Sequence, residues 1–235
     1  MKRLFVFIMC YLPVLVSSAQ ETEVDSDKSI VIDSLYREDQ FYVGVTYNLL
    51  FNKPKDFSQS GFSGGLHLGF IRDMPVNKRR NVAIGLGLGY SFNVYIQDLF
   101  IGEEEGTEKS IFSILDGVEY DSNRFTTHLL ETPFEFRWRT SVPETHKFYR
   151  IYTGIRMGYL YSFNSNFKQP GNQVKQSKVE ELNRWRVGAT FVFGWNTFNF
   201  YFYYSLNSLF NDKAMIEGAP VGLNTAKIGL MFYIL

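Results

Sequence analysis

Between Asn81 and Ile96 the chain alternates without a break. Val82, Ile84, Leu86, Leu88, Tyr90, Phe92, Val94 and Ile96 are large and apolar, whereas Ala83, Gly85, Gly87, Gly89, Ser91 and Asn93 between them are small or polar. A period of two marks a β-strand. The run is far longer than the usual strand of about 5 or 6 residues. A bulky face and a small face on one long strand suit a barrel wall in lipid, with acyl chains outside and a narrow lumen inside.

Seven further segments carry the same alternation, and together they predict an all-β fold, an eight-stranded antiparallel transmembrane up-and-down barrel. Gln40 to Phe51 and Gly61 to Ile71 form the first two strands, and the Asn81 to Ile96 run is the third. Phe125 to Thr140 and Phe148 to Phe163 are the fourth and fifth. Arg184 to Asn196, Phe198 to Asn207 and Asn224 to Leu235 complete the set. The apolar parities, such as Leu130, Phe134, Phe136 and Trp138 on strand four, hold no Asp, Glu, Lys or Arg. The opposite parities hold Glu131, Glu135, Arg137, Arg139, Arg150, Arg156, Arg184, Arg186 and Lys227.

That segregation sets which face points inward. An eight-stranded barrel is just wide enough to be filled by side chains, so it cannot house all the Phe, Tyr and Trp of these strands. The apolar face is therefore expected to meet lipid, and the charged residues to form a polar network in the lumen. Gly85, Gly87, Gly89, Gly154, Gly158, Gly188 and Gly229 would then point inward and leave room for Arg and Glu side chains.

The beginning of the chain supplies an address. Lys2 and Arg3 precede an apolar stretch from Leu4 to Val16, and Ser17-Ser18-Ala19-Gln20 comes next, with small residues suited to cleavage after Ala19. Residues 1–19 read as a signal peptide, 20–39 as an acidic periplasmic tail and 40–235 as an outer-membrane barrel domain. The one cysteine, Cys10, falls within the leader. Without Lys2 and Arg3, 22 of the 24 basic residues remain against 24 acidic ones, and this balance gives no electrostatic support for nucleic-acid binding. Aromatic residues make up 17% of the sequence while mean hydropathy is −0.14. Alternation averages hydropathy towards zero, and membrane interfaces demand aromatics.

Long and short connections alternate. Asn52 to Ser60, Gln97 to Arg124, Asn164 to Asn183 and Ser208 to Leu223 are expected outside the cell; Arg72 to Arg80, Ser141 to Lys147 and a step around Thr197 are expected in the periplasm. Trp138, Tyr149, Trp195 and Phe198 would form a periplasmic aromatic girdle, and Phe62, Phe92, Tyr161 and Trp185 an outer one. The connection R-D-M-P-V-N-K-R-R carries Arg72, Lys78, Arg79 and Arg80 against Asp73 and is read as a periplasmic basic turn that could dock a partner. Pro133 within a strand implies a bulge or an interrupted ladder.

The run Leu129-Leu130-Glu131-Thr132-Pro133-Phe134-Glu135-Phe136-Arg137 resembles a strand of the small outer-membrane β-barrel proteins of the Bacteroidota, the PorT family or porin family. The resemblance extends through the leader, the Gly-rich second and third strands and the strand count. It implies fold and location, and through the family's namesake an accessory role in type IX protein secretion. The chain ends in Leu235 rather than an aromatic, so recognition by the barrel insertion machinery would rest on Phe232 and Tyr233.

These features leave three functional classes. A structural or accessory barrel is preferred, with outer-membrane lipid and a periplasmic or secretion-system protein as partners, because Arg and Glu can pair across the lumen and leave no unpaired buried charge. A small passive porin or ligand conduit is the alternative. An outer-membrane lipid hydrolase ranks last: His128 faces outward near the outer rim, and no Ser is placed beside it by this reading. No catalytic, cofactor or metal site is assigned. His67 is expected to hydrogen-bond within the lumen, and Glu103-Glu104-Glu105 to form a solvated acidic loop.

Overall fold

The computed structural model describes residues 39–104, 107, 109–140 and 149–234. The leader, nearly all of the acidic tail, Glu105, the turn at Ser141 to Lys147 and Leu235 lie outside these residues. In chain order the strands are β1 (Gln40–Phe51), β2 (Gly64–Pro75), β3 (Val82–Ile96), β4 (Leu99–Glu103), β5 (Ser110–Ile114), β6 (Ser122–Arg139), β7 (Tyr149–Gln169), β8 (Asn172–Gln176), β9 (Trp185–Trp195), β10 (Phe198–Ser205), β11 (Met215–Ile216), β12 (Ala219–Pro220) and β13 (Asn224–Ile234).

Eight of them close on themselves. The order β6-β3-β2-β1-β13-β10-β9-β7 is joined into a ring by the β6–β7 ladder, and the pairings are antiparallel. Closure leaves no wall edge with unpaired backbone groups, which is what lets strands cross a bilayer. Alternation then sorts the side chains. On β6, Phe125, Thr127, Leu129, Glu131, Glu135, Arg137 and Arg139 are buried while Leu130, Phe134 and Phe136 stand exposed. On β3, Leu88 is 73% exposed, and Trp185 at the start of β9 is 69% exposed. The predicted barrel and its facing are both present.

The largest boundary differences are in β2 and β7, each for a local reason, and β6 also begins earlier than expected, at Ser122. β2 begins later than expected and runs on to Pro75, because Met74 and Pro75 continue the ladder against Ile84 and Ala83 of β3. The turn thus shrinks to residues 76–81. Asn77 closes it, donating from Nδ2 to Asn81 Oδ1 at 2.6 Å and accepting from the Val82 amide at 3.2 Å, with Arg80 in the left-handed region at φ 55°. β7 reaches Gln169, 21 residues in all, about twice what a tilted strand needs to cross the hydrocarbon core.

That length is usable because β7 changes register part-way. His128 of β6 opposes Ser162 and Leu129 opposes Leu160, which leaves Tyr161 as an extra residue, a β-bulge. The inward parity therefore passes from even to odd, and Leu160 and Phe163 are both buried. The ladder between β3 and β6 is broken at Pro133: pairing stops at Leu86 with Phe134 and resumes at Gly89 with Glu131. Proline has no amide hydrogen to donate there.

The long connections are built structures rather than plain loops. β4 and β5 pair as a ribbon, β11 and β12 as a second, and β8 folds back on the extended end of β7. Their apolar side chains turn inward: Phe57, Leu99, Ile101, Phe112, Leu182, Leu209, Phe210, Val221 and Leu223 join Tyr95, Phe125, Leu129, Leu160 and Phe163 of the wall in one buried cluster. The connections are clasped together by Asp98, whose carboxylate accepts from the Ser58 amide at 2.8 and 2.9 Å while its own amide donates to the Ser58 carbonyl at 3.1 Å. Partial burial holds the Asp98 carboxyl above its ordinary pKa. The barrel is thus capped at its long-loop end by a dry lid.

Candidate functional site

Beneath the lid the lumen is packed with charge. Among the described residues, buried Asp73, Glu131 and Glu135 face buried Arg137, Arg139, Arg150, Arg156, Arg186 and Lys227. Nearest the short-turn end, Arg139 grips Asp73 with both guanidinium nitrogens, Nη1 to Oδ1 and Nη2 to Oδ2 at 2.9 Å each. Arg137 lies beside it, donating from Nη1 to Asp73 Oδ1 at 3.2 Å, from Nε to Glu135 Oε2 at 3.2 Å and from Nη2 to Gln40 Oε1 at 3.1 Å. The forked, planar guanidinium suits such two-point pairing with a carboxylate. Arg137 also stacks over the Tyr152 ring at 4.5 Å.

The next level is centred on Arg156. Its Nη1 donates to Glu131 Oε2 at 3.2 Å and its Nη2 lies 3.9 Å from Glu135 Oε1. The rings of Tyr42 and Tyr201 flank it at 5.3 and 5.2 Å. Ser91 donates to Glu131 Oε1 at 2.9 Å, so both Glu131 oxygens are engaged. Higher still, Thr46 hydrogen-bonds His67 Nε2 at 3.0 Å and donates to Asn48 at 2.8 Å, and Asn48 continues to Asn93 at 3.3 Å. His67 is a lumen hydrogen-bonding residue, as its parity suggests.

Each predicted lumen residue has a definite place, and two expectations, for Arg184 and for the glycines, need correction. Arg184 lies just before β9, half-buried, and donates to the Leu160 carbonyl at 3.4 Å instead of entering the ion network. Arg150 is buried on the inward face, where its Nη1 donates to the Asn196 carbonyl at 2.7 Å and to Asn199 Oδ1 at 3.5 Å. The inward glycines mostly accommodate other groups than Arg and Glu: a Cβ at Gly85 would meet Arg137, but one at Gly69 or Gly89 would strike the Tyr42 ring, and one at Gly188 that of Tyr203.

The basic turn is likewise redrawn. Arg72 belongs to β2 and points outward, opposite Leu86, so it is a wall residue whose long stem can carry its charge along the apolar surface to the interface. Asp73 points inward and is the anchor of the Arg137 and Arg139 pairs. Lys78 and Arg79 remain on the turn and exposed, beside half-buried Arg80.

The expectation that no Ser lies beside His128 fails, since the bulge sets Ser162 opposite it. Among the described residues the two are not hydrogen-bonded to each other. His128 Nδ1 is 2.7 Å from the Tyr90 hydroxyl, and Ser162 accepts from Asn164 at 3.4 Å. Glu103, read as part of an acidic loop, ends β4 and accepts from Gln176 of β8 at 2.9 Å.

Residues 18–211 match a family described as an outer membrane protein beta-barrel domain. The chain belongs to that outer-membrane β-barrel family. Membership agrees with the closed ring of strands, the charge-lined lumen and the apolar exterior, and it places the protein in the outer membrane. The match stops before β13, the strand that completes the ring against β1 and β10. No match was found among curated proteins. In this architecture the short turns face the periplasm and the long connections the exterior, so the lid is extracellular and the Lys78 turn periplasmic. Outward Trp138, Tyr149, Trp195 and Phe198 lie towards the short-turn end, and Phe62, Tyr161 and Trp185 towards the lid.

Proposed function

We propose that this outer-membrane barrel works as a closed structural and accessory protein, an anchor that presents its turns and lid to other envelope components and does not conduct or catalyse. The observation that carries this reading is the filled lumen: a ladder of Arg–carboxylate pairs and Tyr rings below, and an apolar cluster above. A pore needs a continuous water path, and here the Asp73–Arg137–Glu135 and Glu131–Arg156 groups cross the lumen below the lid. A hydrolase needs a nucleophile hydrogen-bonded to its base, whereas His128 is engaged with Tyr90 and Ser162 with Asn164.

The exposed Lys78–Arg79 turn is the periplasmic docking point in this reading, and a secretion-system or envelope-assembly protein is its partner. The resemblance to the PorT family supports type IX secretion as the setting. Replacing Lys78, Arg79 and Arg80 with Ser is expected to leave barrel abundance and heat-modifiable gel migration unchanged while impairing secretion of type IX cargo or releasing a co-purifying periplasmic protein. Normal cargo secretion in a strain lacking the whole protein would refute the secretion role.

A further inference from the structure

Among the described residues, two lumen cations stand apart from the carboxylates. Arg137, Arg139 and Arg156 are matched by Asp73, Glu135 and Glu131, and Arg150 lies against the Asn196 carbonyl, but Arg186 and Lys227 have no carboxylate within 4.0 Å among the described residues. Both are buried. Arg186 donates from Nη1 to the Ser208 carbonyl, and the Lys227 ammonium sits over the Tyr203 ring at 5.0 Å. Glu131, whose oxygens bond Ser91 and Arg156, lies beyond that distance from both.

These two cations line one cavity of about 20 Å³, at the boundary between the charged network and the lid. Asn93, Thr127, Thr225 and Tyr203 supply polar groups to its wall, and Leu129 and Leu160 of the wall with Leu209 of the lid supply apolar ones. That volume is enough for about one small occupant, since a water needs about 10 to 15 Å³ in this measure. Two like charges sharing a desolvated space repel strongly, because they lack the solvation and screening that water would provide.

We propose that this cavity is a halide-sized anion site, in which one monovalent inorganic anion neutralises Lys227 and Arg186. The lid buries the ion, so exchange is slow and the site stabilises the barrel instead of conducting.

The experiment uses the full chain, refolded into detergent micelles at fixed ionic strength in sodium bromide, chloride or gluconate. Thermal unfolding should shift upward by a few degrees in the two halides relative to gluconate, with a saturable dose dependence. Lys227→Met should abolish the saturable part. Lys168→Met, which removes the same charge from an exposed pair with Asp121, should retain it. Crystals grown from the bromide-refolded wild-type protein should show one anomalous peak between residues 186 and 227. Equal midpoints in all three salts would overturn the proposal, as would an unchanged halide response in Lys227→Met. So would a bromide map with no peak in the cavity, a result that does not depend on any variant folding.

Discussion

Single residues in this barrel divide sharply by the direction in which they point. Leu88 is exposed on the lipid face near the middle of β3, so Leu88→Arg is expected to destabilise the barrel by about 2 to 4 kcal/mol, the usual cost of a basic side chain at the bilayer midplane. Leu88→Phe should be close to neutral in the same lipid-refolding titration. Parity alone suggests that Gly87→Ser would also be tolerated, but a Cβ there would collide with the Phe70 carbonyl and Ile71, and this variant should fold poorly. Asp73→Ala leaves Arg137 and Arg139 buried beside one another, and loss of one partner from a buried ion pair typically costs about 3 to 5 kcal/mol. Denaturant titration should place it well below Arg72→Ala, its outward neighbour. Asp73 is hard to read from sequence because it sits among Arg72, Met74, Pro75 and Lys78, a composition that reads as a turn. Only its ladder with Gly85 of β3 and its ion pairs with Arg137 and Arg139 reveal it as an inward wall residue. Glu131, Glu135, Arg137, Arg139 and Arg156, by contrast, are legible from alternation alone.

At the scale of elements, strand positions are recoverable because each strand keeps one parity through the membrane. The exception is β7, where Tyr161 is an extra residue that inverts the parity of Ser162 through Gln169 and so hides the juxtaposition of His128 and Ser162. A bulge leaves no mark on composition. The lid is hidden for another reason. Leu99, Ile101, Phe112, Leu209, Phe210, Val221 and Leu223 are spread over separate connections and converge only once the ring has closed, so no local period announces them. If these residues form a dry cap independent of the wall, Phe210→Asp should open it while sparing the ring. Proteolysis of the long connections in refolded protein should then accelerate, with heat-modifiable migration retained. Unchanged protease resistance would mean that the cap does not depend on its apolar packing.

Taken as a whole molecule, the barrel is an outer-membrane protein whose interior is filled by side chains below and above one small cavity. Its charged lower half and apolar upper half are held by different physics. Ion pairs and Tyr stacking below give a specific, rigid network, and apolar burial above excludes water. Both halves must fail for a conducting path to open. Ion flow through purified, refolded protein in a planar bilayer is therefore the most direct test of a closed barrel. Steady current should stay at the level of the bare membrane, for wild type and for Phe210→Asp alike, because the Asp73–Arg137–Arg139 and Glu131–Arg156 groups still block the lumen. Large, stable unitary conductances from the wild-type protein would contradict it.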